Sequence, residues 1–291
     1  MSATLRAEAR RPELPPRRPF VRPALLTGAA LWLYLGVAGM WSPRPEVTVA
    51  WALLGAYLVP AALVLESGRR LWPRDRVTTV MLLRTMLLGS LVAAAGAAAP
   101  DLGASSGPFP LRAAAAALPA AAETAVVALA VALLGRRTTP TPRTGLFLGG
   151  ALGAGIAAFT ALSATLQAIG ALSGVPLPAE MSAPVFLEGG VAVQQAVLAA
   201  ITSPVWGALV GAAVFGSPRA LAAAVAGVLL THVLADAAFL TVGGLLGTSP
   251  AALAVQLLLT AAVASPAVAA WSRRARALGH RAAEDQGSGG A

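Results

Sequence analysis

The 291-residue chain contains no cysteine. Disulfides, thiolate metal ligands and cysteine nucleophiles are therefore excluded. Charge is also scarce: only 11% of residues are charged, where soluble domains carry about a quarter. An ordinary water-soluble fold does not fit that figure. Nor does a disordered chain, because 57% of the residues are hydrophobic. Aromatic residues are 5%, too few for a broad stacking surface for nucleic acid. The strand-favouring Ile, Tyr and Thr are sparse, and the short alternating segments of a membrane barrel are missing. Lysine is absent, so all 21 basic residues are Arg, and the net charge is +9.

What remains is rich in Ala, Leu, Val and Gly, the composition of membrane helices. About 20 mostly apolar residues cross a bilayer. Eight segments meet that length: 24–41, 46–65, 77–99, 112–135, 144–171, 189–216, 220–247 and 251–271. Turn formers such as Ser42-Pro43-Arg44-Pro45, Thr139-Pro140-Thr141-Pro142 and Ser217-Pro218-Arg219 separate them. The expected fold is all-α: a polytopic membrane helix bundle of eight spans over 24–271. A disordered Arg/Pro-rich tail (1–23) precedes it and a basic tail (272–291) follows.

The Arg positions orient this map. Eighteen lie in the two tails and in alternate connectors (66–76, 136–143, 217–219), whereas the other connectors hold only Arg44 and Arg112. By the positive-inside rule both termini are cytoplasmic, which requires an even number of spans. The basic charge thus reads as topology and as contact with anionic lipids at the tails, in a plasma-membrane protein, with no nucleic-acid partner. Trp41, Trp72 and Trp271 at span ends read as interfacial anchors. The pairs Gly149/Gly153, Gly207/Gly211 and Gly243/Gly247 predict close helix approach.

Ionisable groups at mid-bilayer cost about 2.5–3.5 kcal/mol each on insertion scales and so ask for a partner or a role. Four lie well inside spans: Arg84, Glu123, His232 and Asp236. Arg84 is near a cytoplasmic end and can snorkel. His232 and Asp236 are spaced i, i+4 and share a helix face, and Glu123 lies at matching depth on another helix. His and carboxylate side chains suit zinc, and a hydrogen-bonded network between helices accounts for them equally. Thr160, Ser163, Gln194, Gln195, Thr202 and Ser203 add polarity at mid-span. Ser and Thr in such helices often bond back to their own backbone.

Four stretches together resemble the PrsW family of bacterial intramembrane metalloproteases, relatives of the CAAX-processing and bacteriocin-immunity membrane proteases. The family pattern is Glu-Glu-x-x-Lys, then Phe-x-x-x-Glu, then a His, then His-x-x-x-Asp or Asn. Ala122-Glu123-Thr124-Ala125-Val126 corresponds to the first element, with Ala122 in place of the first Glu and Val126 in place of the Lys. Phe159-Thr160-Ala161-Leu162-Ser163 corresponds to the second, with Ser163 in place of Glu. Ser203 stands where the third has His, and His232-Val233-Leu234-Ala235-Asp236 matches the fourth in full. The resemblance spans roughly residues 25–270. It implies a zinc site of Glu123, His232 and Asp236, with Glu123 also the catalytic candidate and Ser163, Gln195 and Ser203 lining the cavity. It further implies a single-pass membrane protein as client. The replaced positions leave no spare carboxylate as general base, so an active hydrolase and a catalytically inactive relative are both open. A structural or regulatory membrane protein, or a transporter using Glu123, His232 and Asp236 as a proton relay, are the alternatives.

Overall fold

A computed structural model describes residues 45–71, 77–97, 109–173 and 202–246 throughout, and parts of 26–35 and 251–273. The described residues are all-α. Six helices make the body: α1 (Pro45–Leu71), α2 (Thr79–Ala97), α3 (Phe109–Gly135), α4 (Pro142–Ser173), α5 (Thr202–Val214) and α6 (Pro218–Leu246). Five of the expected segments, 46–65, 77–99, 112–135, 144–171 and 220–247, each correspond to one of these helices, and α5 lies within a sixth, 189–216. Residues 1–23, 189–201 and 274–291 lie outside the described residues. Two described stretches, Thr79–Gly96 and Pro142–Leu166, are long and apolar enough to cross a membrane, with mean hydropathies of 1.6 and 1.8.

Helix starts follow from local chemistry. The Thr78, Thr141 and Ser217 hydroxyls accept the backbone N–H of Met81, Thr144 and Ala220 at 3.1, 3.1 and 3.2 Å. Each is an N-cap, satisfying an amide the helix leaves unpaired. Pro142 and Pro218 come next, where a missing N–H and a preset φ cost nothing. The turn formers of the sequence thus double as helix starts, and α4 and α6 begin two residues earlier than the hydropathy suggests.

Helix α4 is the central helix. It packs against α1, α2 and α3, and residues 151–158 are buried without a break. Its small residues make this possible on two faces. A Cβ built on Gly145, Gly149 or Gly153 would collide with the carbonyl oxygen of Gly211, Gly207 or Ser203 on α5. As one number rises by four its partner falls by four, so α4 and α5 run antiparallel in fixed register. On another face, a Cβ on Gly155 would strike the Met86 carbonyl of α2, and one on Gly89 the Leu152 carbonyl of α4. Two of the three glycine pairs expected from the sequence therefore meet each other. The third includes Gly247, outside the described residues.

A hydrogen-bond chain reinforces the contact of three helices. Tyr57 of α1 donates its hydroxyl to Ser90 of α2 at 3.0 Å, and Ser90 donates to the Gly155 carbonyl of α4 at 3.0 Å. The other buried polar residues are settled locally. Thr85 and Thr124 donate to the Met81 and Ala120 carbonyls at 2.8 and 2.6 Å, and Thr144 pairs with Thr141. Bonding back to a carbonyl one turn earlier is a common local solution for Thr in an apolar helix.

The outer faces are apolar as well. Val80, Leu87 and Leu91 of α2 and Leu118, Val126, Leu129 and Leu133 of α3 are exposed, Leu91 by 66%. Arg84 is exposed five residues into α2. A helix apolar all round belongs in a core or in lipid.

Backbone-to-backbone packing makes a sharp prediction. Gly149→Ala forces α4 and α5 apart and is expected to lower stability by about 3 kcal/mol, the upper end of core overpacking. At Gly150 the nearest neighbour of an added Cβ is the Ala208 Cβ at 3.5 Å, ordinary van der Waals contact. Gly150→Ala is therefore expected to leave the melting temperature in detergent close to wild type.

Candidate functional site

The site is built where α3, α4, α5 and α6 meet. Glu123, Thr124 and Val127 of α3, Ile156 of α4, Ser203, Trp206, Gly207 and Val210 of α5, and Val228 of α6 line a cavity of about 20 Å³. Helix lengths fix its level. Glu123, Ser203 and Val228 lie twelve, eleven and ten residues from Gly135, Val214 and Pro218, respectively. These helix ends are neighbours, because a Cβ on Gly135 or Gly145 would meet the Phe215 ring. At 1.5 Å per residue the cavity is about 15–18 Å from that end, roughly half the thickness of a bilayer core.

Two of the six residues expected at the site come together here: Glu123 and Ser203. Ser163 is half-buried on α4 and does not line the cavity. It lies seven residues beyond Ile156, on the same helical stripe two turns further from the Phe215 end. His232 and Asp236 belong to α6, one and two turns beyond Val228 in the same direction. Their side chains, and Gln195, lie outside the described residues. The helix register thus runs the candidate positions outward from one level, with Glu123 and Ser203 at its base.

Ala122 has a different place. It is exposed, in line with Leu118, Val126 and Leu129 on the outer stripe of α3. Adjacent helical residues are about 100° apart, so the position that holds the first Glu of the resembled pattern looks away from the cavity. Val126, at the Lys position, is exposed on the same stripe. The first element therefore contributes Glu123 alone to the cavity wall.

The residue missed from sequence is Trp206. It is 91% buried, since only 9% of it is exposed. The six-membered ring approaches Gly227 of α6, 3.2 Å from where a Cβ would stand. Its indole Nε1 is the one buried side-chain polar atom among the described residues with no hydrogen-bond partner. The available signal was its position: Trp41, Trp72 and Trp271 sit at expected span ends, whereas Trp206 sits deep in an Ala/Gly-rich stretch.

The described wall does not fit zinc. It offers one carboxylate, one neutral hydroxyl and an indole N–H, which donates and does not ligate. Among the described residues no group of three His, Asp or Glu side chains could hold a metal. A zinc site would require His232 and Asp236 to join Glu123.

Comparison with protein families, with characterised proteins and with solved structures found no match for this chain.

The outer stripe can be tested directly. With that face in lipid, as the composition implies, Ala122→Glu places a carboxylate against hydrocarbon. It is expected to cost about 2.5–3.5 kcal/mol of insertion free energy, read as lost membrane-integrated protein, and to confer no proteolytic activity.

Proposed function

We propose that this is a multi-pass plasma-membrane protein of eight spans with both termini cytoplasmic. In layout it is similar to PrsW-type intramembrane proteases, but it does not hydrolyse peptide bonds. Its role is to hold a membrane-anchored protein client. The client is what the resemblance implies for a member of this plan that has lost its catalytic set.

The observation that carries the non-hydrolytic reading is the set of groups on the described cavity wall. Glu123 is the one carboxylate on the described wall. Ser203 and Ser163, at the positions of expected ligands, are neutral oxygens. The membrane reading is supported by the charge asymmetry of the connectors and by the exposed Leu and Val of α2 and α3. In water such continuous apolar surface would be a liability. Against lipid it is the ordinary surface of a spanning helix, with all backbone groups bonded inside it.

Metal analysis and photo-crosslinking of the full chain in its membrane test this reading. The protein purified in detergent is expected to carry far less than one zinc per chain. A photoreactive residue at Leu129, on the exposed face of α3, is expected to capture a discrete single-pass protein, and to do so equally in Glu123→Gln. Stoichiometric zinc that is lost in His232→Ala, or cleavage of the captured client that stops in Glu123→Gln, would overturn it.

A further inference from the structure

We propose that the bundle end formed by the α3–α4 and α5–α6 turns binds a phospholipid with an anionic headgroup, held by Arg136, Arg137 and Arg219. The site rests on the membrane placement proposed above and is separate from the basic tails. Three observations meet here. First, packing brings the three cations to one end. Helices α3 and α6 pack against each other, α3 ends at Gly135 and α6 begins at Pro218. A Cβ on Gly135 would meet the ring of Phe215, just before α6. Arg136, Arg137 and Arg219 are all exposed there. Second, no carboxylate lies near them along the chain. The sequence has no Asp or Glu in 124–179 or in 189–235, the stretches that hold both turns and all of α4 and α5. Among the described residues none of the three Arg is in an ion pair. Arg219 is the second residue of α6, where a cation opposes the helix macrodipole, so the helix itself does not stabilise it.

Third, the cations head exposed apolar stripes. On α6 the exposed Ala222, Ala223, Ala226, Leu230 and Leu234 follow Arg219 at steps of three to four residues, which is one helix face. On α3 the exposed Val126, Leu129 and Leu133 lead up to Arg136 and Arg137 in the same way. A cationic head above an apolar column is complementary to a phospholipid. The guanidinium groups donate to phosphate oxygens, and an acyl chain lies along the α6 stripe, close to the backbone where the side chains are Ala. Arg219 to Leu230 is eleven residues, about 16 Å, or the depth of one leaflet. On the membrane placement above, this end faces the cytoplasmic leaflet, which carries the anionic lipids. Inorganic phosphate would engage the Arg side chains but not the stripe, so an anionic lipid is the occupant that uses both.

The test is photo-crosslinking of the full chain in vesicles of phosphatidylglycerol and phosphatidylcholine in equal parts. Both leaflets then have one composition, and any preference comes from the protein. One photoreactive residue replaces Ala226, seven residues from Arg219. Another replaces Leu118, seventeen residues from Gly135 toward the other end of α3. At position 226 capture of phosphatidylglycerol is expected to exceed that of phosphatidylcholine by roughly fivefold, the worth of one Arg near an anionic surface. At position 118 the two are expected to be captured equally. The preference at 226 is expected to disappear when Arg136→Gln, Arg137→Gln and Arg219→Gln are combined. Equal capture at 226 in the wild-type background overturns the lipid site, and that comparison stands even if the triple variant fails to fold. A preference that persists in the triple variant also overturns it. Failure to capture either lipid at both positions overturns the membrane placement, and the site with it.

Discussion

Direct contact between the backbones of α4 and α5 is the constraint on which the other features depend. On the membrane reading proposed above, lipid supplies no hydrophobic drive between apolar helices, and close approach and interhelical hydrogen bonds supply the cohesion. Gly145, Gly149 and Gly153 face Gly211, Gly207 and Ser203 with no side chain between them. That register sets the level of Ser203 and Trp206 against Ile156. The same central helix meets α2 through Gly155 and Gly89, and there the Tyr57–Ser90–Gly155 chain of hydrogen bonds adds direction to dispersion. Removing the Cβ atoms from α4 lets several neighbours approach one helix closely.

The cavity follows from this geometry. Where α4 and α5 are closest, side chains are small. Just beyond, the Trp206 ring reaches α6 at Gly227, and the α3 residues Glu123, Thr124 and Val127 close the other side. A large ring beside small residues leaves a gap, and Glu123 and Ser203 are on its wall. Thr124 removes itself from this set by donating to Ala120. Glu123, one residue earlier, is on the wall.

Much of this was legible in the sequence. Scarce charge, absent cysteine and long apolar runs lead to an all-α chain, and the helices over 45–71, 79–97, 109–135, 142–173 and 218–246 fall where hydropathy puts them. Small-residue spacing revealed which helices approach closely, but not that Gly149 meets Gly207. Register between helices depends on three-dimensional fit, which periodicity along one helix does not contain. The site was half legible. Glu123 and Ser203 do share a wall. Ser163 does not, because a position seven residues along a helix keeps its face but shifts about 10 Å in depth. Ala122 looked like a lost catalytic group in a linear alignment, yet it is exposed on the outer stripe. Trp206 escaped notice because a tryptophan in an apolar span reads as packing until its N–H is counted.

The register of α4 against α5 is most directly tested by a disulfide, in a chain that has no cysteine of its own. Gly150 and Ala208 face each other with 3.5 Å between a Cβ built on the first and the Cβ of the second, within the span of a normal disulfide. Gly150→Cys with Ala208→Cys is expected to oxidise within one chain in the membrane and to give a reductant-sensitive shift in gel mobility. Gly150→Cys with Val214→Cys, nearly two turns away, is expected not to. Crosslinking of the second pair in preference to the first would contradict the packing from which the cavity follows.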